Sequence, residues 1–342
     1  MDLDVGTCFR AGKMVMILTF LPLFLQSCFT GSRKGELICA EANPEKGFNY
    51  SYFLFIPDGT SAAEEKILIV EPNNSGFADD DYDKHREKAG RTASLDFYTG
   101  NFVARKLNYP LLVPVFPRPL SDWKIYTHAL DRDAVIQKNS RLERIDLQLI
   151  AMIEDARKRL LELGYSIHEQ VLMTGFSASG SFVNRFTAIH PGKVMAVAAG
   201  GVNGLLILPV DTLQGIPLGF PLGTADFDVL FGYTFDSCQF ARTPQFYYMG
   251  DHDTNDAVPY DDGYDLSERQ VVFELLGEEM QPARWNNCIA IYREKNIKAQ
   301  LKTYQGSGHE ITNEIREDVL NFFREQLQPC LLKVVEKQLP VE

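Results

Sequence analysis

Basic residues are the minority in this chain. Its 342 residues hold 34 Lys and Arg against 46 Asp and Glu, and the resulting charge of −12 sets the surface against phosphate backbones and anionic lipid. Nucleic acid is therefore excluded as a natural partner. Cysteine is scarce, and no two cysteines stand in CxxC spacing, which argues against a zinc centre. There is no internal repeat and no biased stretch of the kind that stays disordered. The apolar run Met14 to Leu25 falls short of the roughly 20 residues that a membrane-spanning helix needs. What the chain does have is 45% hydrophobic residues, enough to bury a sizeable core.

The N-terminus has the order of an export signal. Arg10 and Lys13 precede the apolar run, which ends in Leu25-Gln26-Ser27-Cys28. Leu-x-Ser-Cys resembles the lipobox of bacterial lipoproteins, and that resemblance implies a lipid anchor on Cys28. The alternative is a cleaved secretory signal. Residues 1–27 are thus expected to be an export signal and 28–342 a single domain outside the cytoplasm. With Cys8 removed and Cys28 lipidated, Cys39, Cys238, Cys288 and Cys330 remain, an even number that permits two disulfides.

Along the chain, short apolar runs alternate with helical spacing. Residues 48–56, 66–70, 111–116, 171–174, 194–199, 245–249 and 299–304 read as strands. Leu142 to Leu163 has apolar residues at helical intervals before Gly164. Ile311 to Leu327 closes as an amphipathic helix with Ile315, Val319 and Phe322 on one stripe. This alternation predicts an α/β fold, a mainly parallel central sheet with helices on both faces. Residues 201–243 and 254–297 read as insertions over the active edge, the carboxyl ends of the strands.

Gly175-Phe176-Ser177-Ala178-Ser179-Gly180 follows one such strand and opens a helix, taken as Ser181 to His190. The pattern matches a nucleophile elbow with Ser179 in the second glycine position. The turn is tight, so the residues two before and two after the serine must be small. The backbone N–H of Ala178 then faces a developing oxyanion. Ser179 is the rival nucleophile, and an ordinary capping turn is the bland alternative. For the second oxyanion donor, the loop Glu71-Pro72-Asn73-Asn74-Ser75-Gly76 follows an earlier strand, with the backbone N–H of Asn74 or Ser75 as candidate.

The acid and the base follow in order. The strand at 245–249 runs into Gly250-Asp251-His252-Asp253-Thr254-Asn255-Asp256. Asp253 is the first candidate acid, and Asp251 and Asp256 remain open as rivals. Asp251-x-Asp253-x-Asn255 also looks like the start of a calcium loop, but Asp256 replaces the glycine at its sixth position and Asp262 the glutamate at its twelfth. The last strand leads to Gln305-Gly306-Ser307-Gly308-His309, where the glycines let the loop curl so the ring reaches the serine. His309 is the candidate base. His128, Trp123, Tyr126, Arg284 and Trp285 are candidate pocket residues.

From residue 48 to 327 these features resemble the α/β-hydrolase superfamily. The stretch Gly175 to Phe186 is similar to its secreted esterases and depolymerase-like hydrolases. The resemblance implies a serine hydrolase with a Ser177–His309–Asp253 triad, no cofactor and no metal, acting on a small or polymeric ester. A peptidase of the same fold and a non-catalytic surface-binding lipoprotein are the competing readings.

Overall fold

The computed structural model describes residues 34–338, with side chains as far as Leu327. The expected signal and Cys28 lie outside the described residues. Eight strands form one sheet: β1 (Gly35–Ala40), β2 (Tyr52–Pro57), β3 (Ile69–Val70), β4 (Leu111–Pro114), β5 (Val171–Phe176), β6 (Val194–Gly200), β7 (Gln245–Gly250) and β8 (Ala299–Tyr304). Their order is β1-β2-β4-β3-β5-β6-β7-β8. β2 pairs antiparallel with both β1 and β4, and every pairing beyond β4 is parallel.

Side chains of a strand alternate between its two faces, so a strand covered on both sides reads as a continuous apolar run. That is the arrangement here. Val70, Leu112, Met173 and Val197 join one core, while Ile69, Leu111, Leu172 and Ala196 join the other. The first core is completed by α3 (Ile145–Glu162) and α4 (Ala178–Ile189), the second by α1 (Tyr82–Ser94), α2 (Thr99–Leu107) and α7 (Asn313–Gln338). Ile315, Val319 and Phe322 are buried on α7, as their spacing predicts. Two more helices, α5 (Leu266–Leu276) and α6 (Trp285–Glu294), lie in the excursion between β7 and β8.

The excursions divide their residues. Asn203 and the segment from Asn255 to Asp262 reach the edge of the sheet where the site lies. Leu205 to Leu208, Phe220, Phe227 and Phe240 are buried in the first core. No described helix is long and apolar enough to cross a membrane. Among the described residues Cys39, Cys238 and Cys288 are free thiols, and no disulfide joins any two of them. Cys288 is sealed in the core and Cys238 stands on the surface, which keeps that pair apart.

Glu71, at the end of β3, is buried with its carboxylate accepting from the Gly100 N–H at 2.7 Å. Burial raises its pKa from 4.5 to about 8, against the opposing pull of that N–H and of Lys88. Between those two pH values the folded chain keeps a proton on Glu71 that the unfolded chain releases. Stability contributed by the neutral acid is full below about pH 4.5 and is lost as pH rises toward 8. Glu71→Gln keeps an acceptor for Gly100 without the charge. Urea unfolding at pH 5 and pH 8 is expected to show a smaller loss of stability in the variant than in the wild type. An equal loss in both proteins would assign the pH dependence to other groups.

Candidate active site

The site is assembled at the carboxyl ends of β5, β7 and β8. Register brings these ends level, with Phe176 opposite Gly200 and Tyr304 opposite Gly250. Ser177 occupies the turn between β5 and α4 with φ 61° and ψ −130°, a strained backbone for any residue with a side chain. Its N–H still donates to Gly200 O at 3.0 Å, so the sheet ladder runs up to the turn. Gly175 cannot be replaced without moving the turn, because a Cβ there would sit 2.3 Å from the Ser179 carbonyl oxygen.

Ser179 is buried, and its hydroxyl is committed. Oγ donates to Phe176 O at 2.8 Å and accepts from Phe176 N at 3.0 Å, closing the turn from inside. The sequence asked only for a small residue here; the structure adds a stitch. Ser179→Ala is expected to cost about 1–3 kcal/mol by taking the Ser179 acceptor from the Phe176 N–H and leaving the Phe176 carbonyl with only the 3.5 Å bond from Asn74, with the reactive hydroxyl still at 177. Urea unfolding and mapping of a covalent probe check the two halves. Loss of the modified residue on this substitution would return Ser179 to candidacy.

The acid and base loops are zipped together. Asp251 N donates to Tyr304 O at 3.0 Å, His252 N to Ser307 O at 2.9 Å, and Gly306 N to the Asp251 carboxylate at 2.7 Å. His309 Nδ1 then faces the Asp253 carboxylate at 2.9 and 3.1 Å, with Asp253 2% exposed. The Phe176 ring packs on the imidazole with centroids 4.6 Å apart. The three aspartates have three different partners: Asp253 meets His309, Asp251 staples the His309 loop, and Asp256 forms a bidentate pair with Arg284 at 2.6 and 2.8 Å. Among the described residues, no cluster of three metal-ligating side chains forms.

Ser177 and His309 line one cavity of about 490 Å³, together with Asn74, Ser75, Lys88, Arg118, Tyr126, Phe176, Asn203, Asn255 and neighbouring residues. Among the described residues, the side-chain partner of Ser177 Oγ is Asn255, whose Nδ2 donates at 3.3 Å. No hydrogen bond joins it to His309 in this state, and catalytic hydrogen bonds often form fully only when substrate binds. The sequence offers Asn255 only as a position of a calcium-loop pattern, because nothing in that local pattern signals a reach of 78 residues back to Ser177.

The oxyanion candidates sit beside the hydroxyl. Ala178 begins α4, so its N–H has no carbonyl one turn back in the helix. Asn74 Nδ2 donates to Phe176 O at 3.5 Å, and its Oδ1 accepts from Gly76 N at 3.0 Å, which curls the loop against the elbow. Behind it Asn73 is locked to Phe116 through both N–H and carbonyl, each at 2.9 Å. Ser75 Oγ is hydrogen-bonded to His85 Nδ1 at 2.8 Å.

Of the other expected pocket residues, only Tyr126 lines the cavity. His128 lies sealed behind the loop, its Nε2 2.8 Å from Phe116 O and its pKa held down to about 3 by burial. Trp285 is core, donating from Nε1 to Thr303 Oγ1 at 2.8 Å. Arg284 is wholly buried behind Asp256, and Trp123 meets the site only through its backbone oxygen, which accepts from Arg118.

No protein-family model matches the chain, and no curated protein matches its sequence. Solved structures do. Poly(aspartic acid) hydrolase-1 from Sphingomonas sp. KT-1 is similar with a TM-score of 0.52 and 18% identity, over 86% of this chain and 97% of that one. An S-formylglutathione hydrolase from Agrobacterium tumefaciens is similar with a TM-score of 0.49 and 10% identity, over 87% of this chain and 96% of that one. At such identities the likeness is one of architecture. Together with the strand order and the strained turn at the end of β5, the likeness to the first of these structures establishes that this chain has the fold of the α/β-hydrolase superfamily.

Proposed function

We propose that this protein is an exported serine hydrolase that cleaves carboxylic esters through an acyl-enzyme on Ser177. The observation that carries the reading is the strained Ser177 turn, which opens into the same cavity as an imidazole oriented by a buried carboxylate. His309 takes the Ser177 proton as Oγ attacks the ester carbonyl carbon and then hands it to the departing alkoxide. Water then loses a proton to His309 as its oxygen attacks the acyl carbon. Collapse releases the acid and returns the proton to Ser177. Asp253 holds the Nδ1–H tautomer and offsets the imidazolium charge without taking the proton. The N–H groups of Ala178 and Asn74 receive the oxyanion. The likeness with a TM-score of 0.52 is to a protein named as a hydrolase, which supports this chemistry. Export, and a lipid anchor at Cys28, are part of the same proposal and rest on the N-terminal pattern alone.

The test is labelling with a fluorophosphonate probe followed by peptide mapping. The expected result is an adduct on Ser177, absent in Ser177→Ala and strongly reduced in His309→Ala. A well-folded wild-type protein that takes no label would favour a binding function on this fold.

A further inference from the structure

The charged groups of the cavity are unevenly matched. Each carboxylate at the site already has a partner: Asp253 faces His309, Asp256 faces Arg284, and Asp262 faces Arg118. The cations are not all matched in return. Lys88, half-buried on α1, lines the cavity and forms no ion pair among the described residues; its ammonium lies over the Tyr98 ring, 5.3 Å from the centroid. Glu71, on which Lys88 acts, is kept neutral near pH 7 by burial and supplies no counter-charge. Arg118 is 7% exposed and stacked on Tyr126 at 3.6 Å. One of its terminal nitrogens serves both Asp262 and the Trp123 carbonyl, while its buried Nε has no hydrogen-bond partner. A buried guanidinium with unfilled donors and an ammonium without a counter-ion share one pocket with Ser177, in a chain whose overall charge is −12.

The remaining walls are polar as well. Asn74, Asn203, Asn255, Tyr126 and Tyr260 line the cavity, and Phe176 and Ala257 are the apolar residues among its lining. An aliphatic acyl chain finds little apolar surface there, whereas a carboxylate finds two cations and several amide and phenol groups.

We propose that the substrate carries a carboxylate on its acyl side and that Lys88 and Arg118 receive it while the scissile carbonyl meets Ser177. This substrate class rests on the hydrolase reading above, but the anion site itself is separable from it. Mono-4-nitrophenyl glutarate and 4-nitrophenyl valerate differ only in a terminal carboxylate in place of a methyl group. The wild type is expected to favour the glutarate ester in kcat/KM by roughly tenfold or more at low salt. Salt should erode the preference. Lys88→Gln is expected to remove most of it, and Lys88→Arg to keep it. Equal or better turnover of the valerate ester, or a preference untouched by Lys88→Gln, overturns the proposal while leaving a labelled Ser177 in place.

A second readout needs no turnover. Calorimetric titration of the Ser177→Ala protein with monomethyl glutarate is expected to show binding that Ser177→Ala/Lys88→Gln lacks. If Ser177 resists the probe and neither ester is cleaved, the hydrolase reading falls and the titration decides the anion site. Binding lost with Lys88 sustains it, and no binding in the first protein ends it.

Discussion

Ser177→Ala is expected to lower kcat on a neutral 4-nitrophenyl ester by about a million-fold, and His309→Ala by nearly as much, because serine and histidine act as one unit. Without the imidazole the hydroxyl is a poor nucleophile at neutral pH, and without the hydroxyl the imidazole has no proton to move. The double variant should therefore be no slower than either single one. Asp253→Ala should cost less, about ten-thousand-fold, since it removes the group that orients His309 and leaves the reacting pair. Some catalysis over water should survive in all of them, owed to the N–H groups of Ala178 and Asn74 and to substrate binding. Steady-state kinetics on the four proteins, with circular dichroism to verify folding, make the comparison. Losses that multiply in the double variant would show that the two residues act separately and would break the triad reading. So would a folded Ser177→Ala protein that keeps a tenth of the activity.

The fold was legible in the sequence where strands are buried on both faces. The runs at 171–174, 194–199 and 245–249 mark β5 to β7 within two residues at either end, because a parallel strand covered by helices has no polar face to blur it, whereas the half-exposed edge strand β8 is legible at 299–304 through its alternation. Where cover is partial, the pattern weakens. β1 is a mostly half-exposed edge strand, and nothing in Gly35 to Ala40 announced it. β3 was expected over 66–70 but forms a ladder only at Ile69–Val70, with Lys66 held by an isolated bridge to Ile167. α1 and α2 escaped notice because α1 is rich in charge and buries small residues such as Ala89 and Ala93 rather than an apolar stripe. α4 begins at Ala178, three residues before the expected Ser181, since the helix starts directly at the strained serine.

The site was legible as far as local motifs reach. Ser177, His309 and Asp253 each sit at a strand end, and the order of strands follows from the chain. Contacts between distant loops carry no such signal. Arg118 lies in a Pro-Arg-Pro segment with no periodicity, and its position over Tyr126 and against Asp262 depends on a partner 144 residues further along the chain. The rivalry among Asp251, Asp253 and Asp256 was likewise undecidable from spacing, because what separates them is the partner each carboxylate meets in space.

Asp256 leads to the largest expected change in stability. Its partner Arg284 is wholly buried and, besides the bidentate pair, donates to Gly277 O at 3.1 Å, to Gly204 O at 3.4 Å and to Glu278 O. One side chain thus ties the acid loop to both excursions. Arg284→Met keeps much of the volume but leaves the Asp256 carboxylate, 12% exposed, without its counter-charge, and three carbonyl groups without a donor. The expected cost is about 3–5 kcal/mol, read as a lower urea midpoint at unchanged slope. Asp256→Asn/Arg284→Met should recover much of that loss, because the penalty arises from the unpaired charge more than from the missing attraction. A loss below about 1 kcal/mol in the single variant would class the pair with solvent-screened surface pairs. The functional consequence follows from position. Asp256 lies three residues after Asp253 on the same loop, so releasing it loosens the carboxylate that holds His309. The probe should then label Ser177 more slowly in Arg284→Met even at temperatures where the variant remains folded, and the double variant should regain speed in step with its stability.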